Sequence, residues 1–116
     1  MAVSHLIKEA GFFSKFGIRP ENAFAIYADD DAMAEFIVNG DIVIFNKSKA
    51  EPRSGKIFAI ENDGALYIRQ LWVRNDSSWL LECRNPNKDL YPDQTIPECK
   101  ISAYKICGEF VYRQGG

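Results

Sequence analysis

The chain has 116 residues, 47% hydrophobic and 26% charged, with a formal net charge of −2. This suits a single domain, residues 1–116, large enough to bury roughly two-thirds of the surface its unfolded chain exposes. No apolar run approaches membrane-spanning length, the first residues lack a signal-peptide core, and no Arg- or Lys-rich stripe offers the phosphate neutralisation that a free-standing nucleic-acid binder relies on.

In chain order, Ser4 is placed to cap a short amphipathic helix in which Leu6, Ala10 and Phe13 share a face; Gly17 followed by Pro20 stops it. His5 lies on that helix without a Ser or Cys pattern to make it a catalytic base, so a surface or half-buried imidazole is expected. Beyond Pro20 the period shortens. Residues 23–28, 41–45, 56–61, 65–72, 78–83 and 101–112 are short runs rich in β-branched and aromatic side chains. Asn39-Gly40, Asn62-Asp63-Gly64, Asn75-Asp76 and Asn85-Pro86-Asn87 separate them as turns, and Asp63-Gly64 is the best hairpin signal in the chain. The expectation is a mainly β domain with one leading helix, free of repeats or linkers.

Cys83, Cys99 and Cys107 are odd in number, lack CxxC spacing and share the chain with a single histidine. Reduced, buried thiols in a cytoplasmic protein are expected, with no metal and no cofactor. Asp29-Asp30-Asp31 is read as a solvated cluster, because consecutive residues on an extended chain alternate faces and rarely converge on one hard cation. Trp72, Trp79, Phe110 and Tyr112 are large aromatics of the sort that mostly build the core in a domain this small.

The run Asp30-Asp31-Ala32-Met33-Ala34-Glu35-Phe36-Ile37-Val38-Asn39-Gly40-Asp41-Ile42-Val43 resembles the signature G-D-S-M-x-P-x-[IL]-x-x-G-D-x-[VIL]. Register holds without gaps at Asp31, Met33, Ile37, Gly40 and Asp41. That signature belongs to LexA, UmuD and the lambdoid phage repressors, whose C-terminal domains are serine-lysine self-cleaving peptidases. Gly64-Ala65-Leu66-Tyr67-Ile68-Arg69-Gln70-Leu71 is similar to the family's G-x-x-x-V-K-R-L strand. Leu81 through Asn85-Pro86, then Tyr91-Pro92, looks like its L-x-S-x-N-P-x-Y-P segment, and Ile106-Cys107-Gly108-Glu109-Phe110-Val111 resembles its closing I-x-G-x-V-V strand. Phe16-Gly17-Ile18-Arg19-Pro20-Glu21-Asn22 echoes the lead-in of many phage repressors. Each fragment is weak by itself; their common order and spacing is not. The resemblance implies a LexA-like, signal-peptidase-like domain of β-ribbon or β-barrel type.

The departures bear on chemistry. Ala32 stands at the position of the nucleophilic serine and has no side-chain oxygen. Arg69 stands at the position of the lysine base, and a guanidinium stays protonated at any workable pH. Asp30 replaces the signature glycine and Glu35 its proline. With nucleophile and base both gone, the site is read as degenerate. Ala10-Gly11 matches the type of bond that self-cleaving members cut, but it lies closer to Ala32 than the family interval and within the expected helix, so it is read as a small-residue packing spot. A structural ion pair of Arg69 with Asp30 or Asp31 would replace the dyad.

The resemblance implies a dimerisation and regulatory domain of a phage or prophage repressor, forming a homodimer or higher homo-oligomer. The whole protein would reach operator DNA through an N-terminal helix-turn-helix domain outside this chain, and joining two such heads adds avidity. A non-cleaving repressor needs another release mechanism, and an antirepressor protein is the expected partner. The terminal strand, with Tyr104, Phe110 and Tyr112, is read as an unpaired edge contributing to the dimer interface. Two alternatives stand beside this: an active self-cleaving peptidase caught as a Ser-to-Ala change, and a UmuD-like partner module serving a polymerase.

Overall fold

The computed structural model of the protein describes residues 3–4 and 10–115. Eight strands form one antiparallel sheet among the described residues: β1 (Val3–Ser4), β2 (Ala23–Tyr27), β3 (Ile42–Asn46), β4 (Ile57–Asn62), β5 (Ala65–Val73), β6 (Trp79–Glu82), β7 (Gln94–Ile96) and β8 (Tyr104–Gln114). Their order across the sheet is β1-β2-β3-β8-β4-β5-β6-β7. One α-helix, α1 (Ala10–Phe16), and two 3-10 segments, Pro20–Asn22 and Glu98–Ala103, complete the elements. The mainly β architecture with a single leading helix is as expected.

The hairpin between β4 and β5 shows why its sequence was legible. Asn62 pairs with Ala65, leaving Asp63 (φ 52°) and Gly64 (φ 77°) as a two-residue turn with both residues left-handed. That geometry matches the strand twist and favours Asp-Gly. At the β5–β6 turn, the Ser78 hydroxyl and backbone N–H both donate to the Asp76 carboxylate, at 2.6 and 3.0 Å, and hold its pKa below the ordinary aspartate value.

β4 is buried on both faces, and its alternation splits the interior in two. Ile57 and Ala59 join Ile26, Val43, Phe45 and Ile68 in one cluster; Phe58 and Ile60 join Leu71, Trp79, Leu81, Ile96 and Ile106 in the other. Central β8 serves both neighbours through two bulges. Val111 is left unmatched where β8 pairs with β3, and Cys107 where it pairs with β4. Such bulges add local twist, which curls a sheet of this length around its own core.

Three expectations are corrected. Ser4 does not cap a helix: it belongs to β1 and pairs with Ala25, where the short strand covers the outer edge of β2. The helix as described spans Ala10–Phe16; Leu6 and His5 lie outside the described residues. Residues 101–103 are not strand but the end of the 3-10 segment that follows Pro97, so β8 starts at Tyr104. The terminal strand is also no edge, because β3 and β4 flank it on both sides; β1 and β7 hold the edges. Both are very short, which limits the unpaired backbone offered to other chains.

Candidate functional site

The loop joining β2 to β3 carries the signature residues. Its neck is closed by two backbone bonds: Ala28 N–H donates to the Asp41 carbonyl at 2.9 Å, and Gly40 N–H to the Ala28 carbonyl at 2.7 Å. Gly40 sits at φ 94°, a conformation that side chains rarely adopt. The Asp41 carboxylate, 4% exposed, accepts Val38 N–H at 2.9 Å and lies 3.8 Å from the Arg113 guanidinium. Asp31 Oδ1 accepts Asn39 N–H at 2.8 Å. Met33 and Ile37 drop into the first core cluster, and the Met33 carbonyl receives the N–H of both Phe36 and Ile37 at 3.0 Å. Every signature residue that this chain retains therefore builds the loop: two carboxylates hold backbone N–H groups, one glycine makes the turn, and Met33 and Ile37 anchor it.

Ala32 is 0% exposed. Its N–H donates to Asp30 Oδ1 at 3.0 Å, and its carbonyl accepts Asn85 N–H at 3.0 Å. The Asn85 side chain adds a second clamp, Nδ2 donating to the Asp31 carbonyl at 2.8 Å. Next to this segment, Arg84 lays its guanidinium over the Phe36 ring, 5.2 Å from its centroid.

Arg69 arrives from β5. Gln70 pairs with Glu82, so Arg69 comes abreast of Cys83 just past the end of β6. The Cys83 thiol is buried, and burial pushes its pKa up; Arg69 and Lys88 pull it down, while Asp93 and Asp30 push it up. Arg69 and the Asp30 that holds the Ala32 N–H thus act on one thiol from separate parts of the chain. The expected ion pair of Arg69 with Asp30 or Asp31 is absent among the described residues. Arg69 Nη1 donates to the Ile68 carbonyl at 2.8 Å and its guanidinium lies 5.3 Å from the Tyr67 ring centroid, while the aspartates serve Ala32 and Asn39.

Asp30 and Asp31 lie in a bend and not on the extended run expected of them, and their carboxylates accept different backbone N–H groups, those of Ala32 and Asn39. Ala10-Gly11 lies in α1, but Gly11 is exposed and nothing among the described residues lies within 4 Å of where a Cβ would be, so the expected packing spot is not found there. Of the aromatic residues placed at an interface, Phe110 packs between Phe36 and Phe45, at 5.3 and 6.4 Å, and the Tyr104 hydroxyl accepts Gln94 Nε2 at 3.2 Å. Tyr112 is 37% exposed and meets Phe12 and Phe16 of α1 at 5.5 and 5.6 Å. Two contacts were not read from the sequence. The N-P segment marks Asn85 as a turn residue, although an Asn before Pro also carries a free amide for such a clamp. The capping role of Asp30 was hidden because its position was compared only with the missing glycine.

The thiols differ from expectation in one respect: Cys83 is buried and Cys107 half-buried, but Cys99, on the 3-10 segment after Pro97, is exposed. Native-state thiol labelling at neutral pH should modify Cys99 first and Cys107 more slowly, its pKa raised mainly by burial and then by Glu61. Cys83 should react only on unfolding; mass spectrometry of the labelled chain with and without urea checks the order.

A curled antiparallel sheet that presents a tight, glycine-closed loop beside the end of a neighbouring hairpin defines a peptidase-like β domain of the LexA kind. A family model described as Peptidase S24-like matches residues 2–111, and the chain belongs to that family. No curated protein matches the chain. No helix among the described residues is long and apolar enough to cross a membrane.

Proposed function

We propose that this S24-like domain is the non-cleaving dimerisation and regulatory domain of a phage or prophage transcriptional repressor. The observation that carries the reading is the pairing of Ala32 and Arg69 at the nucleophile and base positions of a fold otherwise kept intact. A methyl group has no oxygen to attack a carbonyl, and a guanidinium has no free electron pair to take a proton. The retained loop residues support the same reading, since a scaffold under no catalytic demand still needs Asp31, Gly40 and Asp41 to hold its shape. In the whole protein, operator DNA is held by an N-terminal helix-turn-helix domain, this domain joins two copies in the cytoplasm, and an antirepressor protein supplies the release that self-cleavage supplies elsewhere.

The test has two arms. The unmodified chain, held at alkaline pH for a day and read by intact-mass spectrometry, is expected to stay whole; a discrete fragment would overturn the loss of cleavage. Sedimentation is expected to show a dimer that Tyr112→Glu weakens, Tyr112 being the exposed member of the three aromatics. An unmodified chain that sediments as a monomer at tens of micromolar would overturn the dimerisation role.

A further inference from the structure

We infer that Asp30 is a third lesion of the peptidase site: its carboxylate occupies the backbone N–H that an acyl-transfer intermediate would need. This deepens the non-cleaving reading and rests on it. When a serine hydroxyl attacks a carbonyl, the base takes the hydroxyl proton, the new C–O bond forms, and the carbonyl π electrons move onto its oxygen. That oxygen then carries a full negative charge and requires donors preorganised around it. The nucleophile's own backbone N–H is a recurrent donor of this kind. Here that N–H belongs to Ala32, and it already donates to Asp30 Oδ1 at 3.0 Å.

The obstruction is both geometric and electrostatic. The donor is spent on a side chain two residues away, and the group that spends it is an anion sitting where an incoming oxyanion would have to sit. Asp30 is half-buried, so the repulsion between two such charges is only partly screened by solvent. The Ala32 and Asp31 carbonyls are both held by Asn85, which fixes the backbone that carries this N–H. Glycine at position 30, as in the family signature, would leave the N–H of residue 32 open. Restoring nucleophile and base is therefore insufficient.

The test compares Ala32→Ser/Arg69→Lys with Asp30→Gly/Ala32→Ser/Arg69→Lys, using p-nitrophenyl acetate at alkaline pH. Acylation forms a serine ester at position 32, with the hydroxyl proton passing to the lysine and p-nitrophenolate leaving as the coloured product. The triple variant is expected to acylate about a hundredfold faster than the double, the order of effect of one oxyanion donor. Equal rates in the two, at whatever level, overturn the inference. A second measurement is independent of enzyme reconstruction. Asp30→Gly in the otherwise unmodified chain should speed hydrogen exchange of the Ala32 amide at least tenfold while core amides such as Phe58 keep their protection; an unchanged Ala32 rate overturns the inference. Self-cutting of the unmodified chain would instead overturn the non-cleaving reading, so the two failures are distinguishable.

Discussion

Phe45→Ala is expected to remove about 3–5 kcal/mol of stability, the cost of an aromatic truncation in a closed interior. Phe45 is fully buried on β3, stacked on Phe24 at 5.5 Å and edge-on to Phe110 at 6.4 Å. Its ring also reaches the cluster containing Met33 and Ile37, so the cavity would open beneath the signature loop. The backbone around it is fixed by β2 on one side and β8 on the other, which leaves little room for collapse. Against a total stability of roughly 5–15 kcal/mol, this is a large fraction of the margin of a small domain. Urea unfolding should show the midpoint falling sharply with the slope unchanged, and Phe45→Leu should lose clearly less than the alanine variant because part of the volume is kept. A loss under 1 kcal/mol for the alanine variant would mean that the first cluster does not pack as described.

How much of this was legible without coordinates depends on whether the signal was local. The Asp63-Gly64 hairpin and the stop at Gly17 are set by backbone conformations that few residues adopt, and both appear where the sequence put them, with Gly17 at φ 63°. The position of β8 was not local. A strand rich in aromatics and charges reads alike at an edge and in the middle, and only pairing with β3 and β4 decides between them. β7 escaped notice because its three residues, Gln94 to Ile96, offer one buried side chain and no readable alternation. In the site, Asp31, Gly40 and Asp41 were legible as a motif, yet their work was not: that both carboxylates serve backbone N–H groups of their own loop needs the folded chain. The Arg69 ion pair failed for the same reason. Its aspartate partners are distant in sequence and were named only from the geometry that the resemblance implies, whereas each accepts a backbone N–H of its own loop.

Gly108→Ala should be nearly as damaging as a core truncation, for the opposite physical reason. A methyl group added there would lie 2.8 Å from the Asn46 carbonyl oxygen, 2.9 Å from Phe24 Cε1 and 3.0 Å from the Asn46 carbonyl carbon. None of these can step aside cheaply. Asn46 is buried, and its side chain is tied to the Ser48 hydroxyl and N–H at 2.6 and 2.9 Å; the Phe24 ring is stacked on Phe45. Between the bulges at Cys107 and Val111, β8 approaches its neighbours closely, and glycine is what makes that approach possible. The closing-strand motif that resembles I-x-G-x-V-V thus has its glycine explained by space. The backbone entropy that alanine would save in the unfolded chain, about 0.4–1 kcal/mol, offsets only part of the overpacking, about 1–3 kcal/mol with this site at the upper end. Gly11→Ala in α1 is the matched control, since nothing among the described residues lies within 4 Å of its added methyl group. It should leave stability unchanged or raise it by up to about 1 kcal/mol, through helix propensity alone. Parallel urea titrations should therefore separate the two variants by more than about 2 kcal/mol; equal midpoints would show that β8 does not pass so close to Asn46.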